Sequence, residues 1–274
     1  MLDIVGKNII RVDAHSKVAG KALYPEDVYI DGMAYGMTLR SKFPHANIKV
    51  DTSSAEKIDG VIKIFTYKDV PNNMHGVVFK DHQVFCQEKV RRIGDPIAFV
   101  VGKTKAVCEE ALNEIQVEYE ELEGVFDPVY AMRDDAPKIH EDSNIMYHYK
   151  IRKGNIEEGF KNSYVIVENT YSTQMAEHGF LQPESGLSYI DEEGRVTVLV
   201  ATQYPHYDRE EIASALKLKE EEVRVINSNI GGAFGGREDI SLQIHLALAT
   251  YILRIPIKTV YSREESFVGH SKRH

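Results

Sequence analysis

The sequence predicts an α+β fold in two units, and three observations carry that expectation. Short strand-like runs precede a single amphipathic helix in the first part of the chain, an order that belongs to α+β units rather than to a doubly wound sheet. A Pro- and Asp-rich stretch then breaks the periodicity. A second set of strands and helices follows it, punctuated by a glycine-rich turn. The expected division is residues 1–130 for the first unit with its N-terminal extension, 131–150 for a linker, and 151–274 for the second unit.

In chain order, Ala34 to Arg40, Asn47 to Val50 and Val61 to Thr66 read as strands. Pro96 to Val101 (PIAFVV) is a continuous apolar run, short enough for a strand buried on both faces. Lys105 to Ile115 sets Val107, Ala111, Leu112 and Ile115 on one helical face. Val117-Glu118-Tyr119-Glu120 alternates as a half-exposed strand. From Phe126 to Lys150 the chain carries Asp127-Pro128, Asp134-Asp135-Ala136-Pro137 and a polar stretch from His140 to Ser143, the punctuation of a surface linker.

In the second unit, Tyr164 to Thr173 and Gly186 to Ile190 read as strands, followed by a turn over Asp191 to Gly194. Val196 to Thr202 (VTVLVAT) is a further strand that runs into Gln203-Tyr204-Pro205, and Asp208 to Leu216 is helical. Glu220-Glu221-Glu222 reads as a solvated helix end, and Val223 to Ile226 returns as a strand. After the turn Gly231-Gly232-Ala233-Phe234-Gly235-Gly236, a helix is expected from Arg237 to Leu253. Ile240, Ile244, Ala247, Leu248 and Tyr251 form its apolar stripe. Pro256 stops it, and Ile257 to Tyr261 is the last strand.

Composition narrows the function classes. The 274 residues carry 33 basic and 42 acidic side chains, a formal charge of −9, which argues against a binder of nucleic-acid phosphates. No apolar run approaches the ~18 residues that span a bilayer. The N-terminal MLDIVGKNIIRVDAH has no signal segment, so a soluble cytoplasmic protein is expected. Cys86 and Cys108 stand outside any CxxC pair, which rules out a four-thiolate iron–sulfur or zinc site within the chain and predicts two reduced, partly buried thiols.

The glycine turn is the most informative segment, because glycines between a strand and a helix let backbone approach a ligand. Two familiar ligand loops fail the spacing. Gly236 is followed by Arg237-Glu238 where a P-loop needs Lys-Ser/Thr, and no start in the turn gives glycines at i, i+2 and i+5. Read from the glycines alone, a tight packing turn is the more frequent outcome. Gln203, just past a strand end, carries a carboxamide able to meet an oxo group, although a lone glutamine is more often a solvated amide or a loop cap. Glu238 reads as a first-turn carboxylate that complements the helix dipole. His45 and His178 are weaker candidates; the eleven histidines show no HxH or HExxH spacing, so no zinc motif is present. A GxSxG elbow is also missing.

The strings IIRVDAHSKVAGKALYPEDV, GMTLRSKFPHANI, VRRIGDPIAFVV, EIQVEYEELEGVFDP, EHGFLQPES, ATQYPHYDREEIA, NIGGAFGGRED and REESFVGHSKRH occur in this order over nearly the whole chain. Together they resemble the large, molybdenum-cofactor-binding subunit of the xanthine dehydrogenase and aldehyde oxidase family. The resemblance implies an α/β hammerhead domain near residues 17–130 and the start of a molybdopterin-binding domain near 150–274. It implies that Gln203 lies beside the molybdenum, that the turn at Gly232, Phe234 and Gly235 brings backbone to the cofactor, and that Glu238 binds a purine substrate. Some members have Gly where this chain has Ala233, and Lys where it has Arg237.

The implied chemistry is hydroxylation of a purine, another N-heterocycle or an aldehyde with oxygen from water. Electrons leave through 2Fe-2S clusters to FAD on partner subunits. No side chain here is expected to ligate the molybdenum, and the form of the pterin is left open. The general-base Glu, a substrate Arg and most pterin contacts are expected outside this chain. A fragment, a truncated frame or one piece of a split subunit is therefore expected, completed by the C-terminal remainder of the molybdenum subunit. The alternative is a non-catalytic fragment or assembly module that keeps the fold without the cofactor.

Overall fold

The computed structural model describes residues 4–141 and 143–273; Asp142 of the polar linker stretch and His274 lie outside the described residues. Twelve strands and seven α-helices, with short 3-10 turns, are assigned among the described residues. The first unit holds α1 (Ala14–Val18), β1 (Ala34–Arg40), β2 (Ala46–Asp51), β3 (Val61–Phe65), the two-residue β4 (Met74–His75), β5 (His82–Gln83) and β6 (Lys89–Val90), then β7 (Pro96–Gly102), α2 (Lys105–Glu114) and β8 (Gln116–Glu121). After the short α3 (Pro128–Ala131) and α4 (Ile156–Asn162) come β9 (Ser185–Ile190), β10 (Val196–Val200), α5 (Pro205–Leu216), β11 (Val223–Asn227), α6 (Gln243–Leu253), β12 (Ile257–Val260) and α7 (Arg263–Val268).

Seven strands form one sheet in the order β11-β10-β9-β12-β1-β7-β3. It crosses both units at β12, which runs parallel to β1 with Ala34 opposite Ile257, while β1 and β7 pair antiparallel. A smaller sheet, β6-β2-β8, is built entirely of strands from the first unit. The predicted α+β class stands, and the strand runs read from PIAFVV and VTVLVAT become the buried β7 and β10. Their β-branched and aromatic side chains fit a pleated surface covered on both faces.

Three helices cover the sheet. Thr104 caps α2 by accepting from the Val107 amide, and Cys108 and Ala111 face inward. Helix α5 opens with Pro205, whose missing N–H costs nothing in a first turn, and closes at Lys217 in the left-handed region. Helix α6 is buried from Gln243 to Thr250, as an apolar stripe wider than one helical face requires. On α6, the His245 Nδ1 lies 3.3 Å from Thr38 Oγ1 and its Nε2 lies 3.1 Å from the Val84 carbonyl, so the ring joins the second unit to the first. Burial pushes that imidazole down to about 3, so it is neutral in the core. Cys86 and Cys108 are both buried free thiols.

Three expectations are corrected. Residues 164–173 form no strand: every one is exposed, and no described strand pairs with them. The β-prone pattern is real, but a strand needs a neighbour to take its hydrogen bonds. The helix expected from Arg237 begins only at Gln243. Residues 237–242 instead form a loop held by long-range bonds, which removes Glu238 from a helical first turn and separates the glycines from any helix N-terminus. Glu220–Glu222 is a separate exposed 3-10 turn rather than the end of α5.

Candidate functional site

The sheet delivers the loop after β10 and the loop after β11 to the same place. Parallel pairing of β10 with β11 sets Val200 opposite Asn227, so Gln203 and the glycine turn leave the sheet side by side. Asn227 Oδ1 then accepts from the Thr202 amide at 3.2 Å, tying the two exits together.

Gln203 is the meeting point. Its backbone N–H donates to the Arg237 carbonyl at 3.0 Å. Its side-chain Oε1 accepts from the Gly235 amide at 3.1 Å, and its Nε2 donates to Glu238 Oε1 at 3.3 Å. The structure thus brings three sequence-predicted candidates, Gln203, Gly235 and Glu238, into direct contact. Phe234 sits at φ +53°, an uncommon conformation for a residue with a Cβ, and its ring is 61% exposed.

The four glycines separate into two kinds. A Cβ on Gly231 would strike Gln182 at 2.5 Å, one on Gly232 would strike Phe180 at 2.8 Å, and one on Gly236 would strike the His178 ring at 2.9 Å. These three are required by close packing against residues 178–182. Gly235 differs: at φ +92° a Cβ there would meet nothing nearer than 3.9 Å. Its freedom is a backbone requirement in open space, so the packing reading accounts for most of the turn and leaves Gly235 as the position free to face a ligand.

Arg237 is the residue that pattern reading passed over. Its guanidinium is buried and donates to the carbonyls of Gly232 at 2.9 Å and Gln182 at 2.5 Å, while lying 4.3 Å over the Phe180 ring. Burial lowers its pKa, with Glu184 acting in the opposite direction. Five fixed donors on a planar head can hold several carbonyls at once, which explains why the loop is set by tertiary bonds and not by helix propensity. A charged residue beside a glycine turn was the only signal in the sequence. Of the weaker candidates, His45 is a buried structural histidine with Nδ1 2.7 Å from the Glu123 carbonyl. His178 lies beneath the turn.

Behind the loop, Asp208 of α5 is fully buried; Gln243 donates to its Oδ2 at 3.2 Å, and Oδ1 has no partner. Burial, against smaller opposing bonds from Thr202 and Gln243, raises its carboxyl to about 6. Because the folded-state value lies above the unfolded one, this group favours folding at low pH, and that contribution is lost as pH rises from about 4 through about 6. Asp208→Asn is therefore expected to raise the unfolding free energy at pH 8 by on the order of 2 kcal/mol, with little change at pH 4. Urea denaturation of both proteins at the two pH values checks this; an equal change at both would show that the charge is not the cause.

The turn lies on an open surface. A groove of about 540 Å³ elsewhere in the molecule is lined by Lys49, Lys63, Tyr67, Cys86 and neighbouring residues, none of them from the turn.

Comparison with known proteins agrees in both units. Residues 19–123 match the family described as aldehyde oxidase and xanthine dehydrogenase, a/b hammerhead domain, and residues 139–274 match the molybdopterin cofactor-binding domain. The chain is 44% identical to the nicotinate dehydrogenase large molybdopterin subunit of Eubacterium barkeri, over 99% of this chain and 64% of that one. It is 30% identical to the xanthine dehydrogenase molybdenum-binding subunit of Escherichia coli, over 97% of this chain and 37% of that one. Among solved structures, the aldehyde oxidoreductase from Desulfovibrio desulfuricans superposes with a TM-score of 0.90 at 27% identity, covering 98% of this chain and 32% of that one. The chain thus spans less than two thirds of the length of these relatives.

Proposed function

The chain belongs to the xanthine dehydrogenase and aldehyde oxidase family, and from that premise we propose that it is part of the molybdenum-cofactor-binding component of a hydroxylase. The reaction proposed is oxidation of a purine, another N-heterocycle or an aldehyde with oxygen taken from water. The observation that carries this reading is the contact of Gln203 with both Gly235 and Glu238 at a half-buried glycine turn.

The residues present fit a molybdenum–pterin group. Gly235 offers backbone in open space at positive φ, and Gln203 offers a half-buried carboxamide whose two ends are both directed along the turn. A bound molybdenum–pterin group would supply the redox and oxygen-transfer chemistry. Gln203, Gly232, Phe234 and Gly235 would hold it through neutral N–H and amide groups, which stabilise anionic ligands without displacing them from the metal. For Gly232 the support is its place beside Phe234, since its missing side chain is already explained by Phe180. Glu238 would accept from the ring N–H of a heterocyclic substrate. The two buried, raised-pKa thiols leave no ligand set for iron–sulfur clusters, so those clusters and FAD are assigned to partner subunits.

Further polypeptide is also proposed to cover an apolar segment of this chain. Tyr164, Val165, Ile166, Val167, Tyr171 and Met175 are exposed along one extended segment. So much aligned apolar surface is the mark of an interface rather than of a finished exterior. We assign its cover to the remainder of the molybdenum subunit, whether on the same chain or another. Among the described residues, no helix is long and apolar enough to cross a membrane.

The deciding measurement is molybdenum and pterin content of this chain purified in its native complex from the source cells. Near-stoichiometric metal is the expected result. An intact complex without molybdenum would leave the family fold in place and reduce the chain to an assembly module.

A further inference from the structure

Below the glycine turn, two histidines and two glutamates converge. His270 Nε2 lies 3.4 Å from Glu177 Oε1 and 3.2 Å from Glu184 Oε1, and His178 Nδ1 lies 4.0 Å from Glu177 Oε1. One ligand atom from each of Glu177, His178 and His270 falls within 4.8 Å of the other two. The side chains of His270, His178 and Glu184 are 0%, 4% and 4% exposed.

The hydrogen bonding inside this cluster does not close. His270 Nδ1 lies 2.9 Å from the Ser271 carbonyl, and only a ring N–H can satisfy that contact. In the neutral ring, Nε2 is then a bare lone pair pointing at two carboxylates. His178 Nδ1, His270 Nε2 and both oxygens of Glu184 are buried without a well-formed hydrogen bond, although His270 and the Ser266 hydroxyl both act on the Glu184 carboxylate. Buried polar atoms are rarely left so, and four in one place call for a common partner. With the His178 proton on its other ring nitrogen, these atoms all present lone pairs, and a cation is the partner that meets them together.

A proton on His270 answers part of the demand. It serves the two carboxylate oxygens nearest Nε2, and the Ser266 hydroxyl serves Glu184, but His178 Nδ1 is left unmet. A divalent ion answers more. Ligand atoms about 2.0–2.2 Å from one ion stand roughly 3–3.5 Å apart; the two distances from His270 match this, the 4.0 Å from His178 to Glu177 would close on binding, and mixed imidazole and carboxylate donors suit zinc-like ions. A backbone carbonyl fixing the second nitrogen of a histidine is the usual support of a metal-binding imidazole. Lys272 Nζ, 2.7 Å from Glu177 Oε2, would hold that carboxylate to one-oxygen coordination.

We propose that Glu177, His178 and His270, with Glu184 or a water closing the fourth position, form a binding site for a divalent cation of the zinc class, separate from the pterin site. The ion joins the chain near Glu177 to the segment after α7, which already meet at an antiparallel bridge between Ala176 and Arg273. Since Arg273 also donates to the Phe234 carbonyl and His178 packs under Gly236, the ion fixes the floor of the turn.

The test uses the full chain, stripped with a chelator and titrated with Zn²⁺ and then Co²⁺, with no pterin required. One saturable equivalent is expected, with visible Co²⁺ d–d absorption and a raised Tm. His270→Ala should weaken binding by about 100-fold or more, as loss of a direct ligand does. Glu184→Gln, which keeps the shape, provides the second variant should the alanine protein misfold, and it should weaken binding by about 10-fold. Failure of the unaltered chain to bind either ion, or binding that neither variant weakens, overturns the proposal and leaves His270 as a protonated link between two carboxylates.

Discussion

Gln203→Ala in the assembled enzyme is expected to lower kcat by about 10²–10³-fold, the loss typical of removing one positioned donor from a reacting centre. The same change should cost no more than about 1 kcal/mol of stability. The side chain makes two hydrogen bonds, to the Gly235 amide and to Glu238, and the backbone bond from Gln203 to Arg237 survives the substitution. Gln203 is also only half-buried, so alanine leaves no closed cavity. Steady-state kinetics beside a thermal melt separates the two effects. Unchanged turnover would remove Gln203 from the site, whereas equal collapse of turnover and Tm would make it a structural residue.

Glu238→Val should alter the choice of substrate more than the rate on every substrate. A half-buried carboxylate that accepts from a ring N–H contributes about 2–3 kcal/mol to the preferred compound, so oxidation of purines is expected to fall by about 100-fold. Aldehydes present no such donor and should lose only severalfold. Because valine also deprives Gln203 Nε2 of its acceptor, the Gln203→Ala/Glu238→Val pair belongs in the same series. Strong non-additivity would show the two acting as one unit. Parallel losses on purine and aldehyde would contradict the assignment of Glu238 to substrate.

How far the sequence could be read depended on where each segment finds its partners. β7 and β10 were legible because burial on both faces leaves a continuous apolar signature in the run itself. Residues 164–173 carry the same β-branched and aromatic signature, but the described chain supplies no neighbour for them, and propensity without a partner makes no strand. The stretch 237–242 failed for the opposite reason. Ile240 fits a helical stripe, yet the bonds of Arg237 to Gly232 and Gln182 overrule local preference. Gln203, Phe234, Gly235 and Glu238 were identified by resemblance, and spacing alone gave only a packing turn. His178 and His270 stand far apart in the chain and fit no short motif; only the fold brings their rings to a centroid distance of 5.2 Å.

The parallel contact of β12 with β1 has a consequence for biosynthesis. Strand β1 is made long before β12, with Ala34 opposite Ile257. During translation β1 can pair with β7 but keeps one raw edge until β12 has left the ribosome. Long-range pairing of this kind is slow and leaves unpaired edges open to aggregation. Cutting the gene at the linker would separate two sequence domains yet break one sheet. The halves should then be recovered together, by co-expression, far better than either is recovered alone.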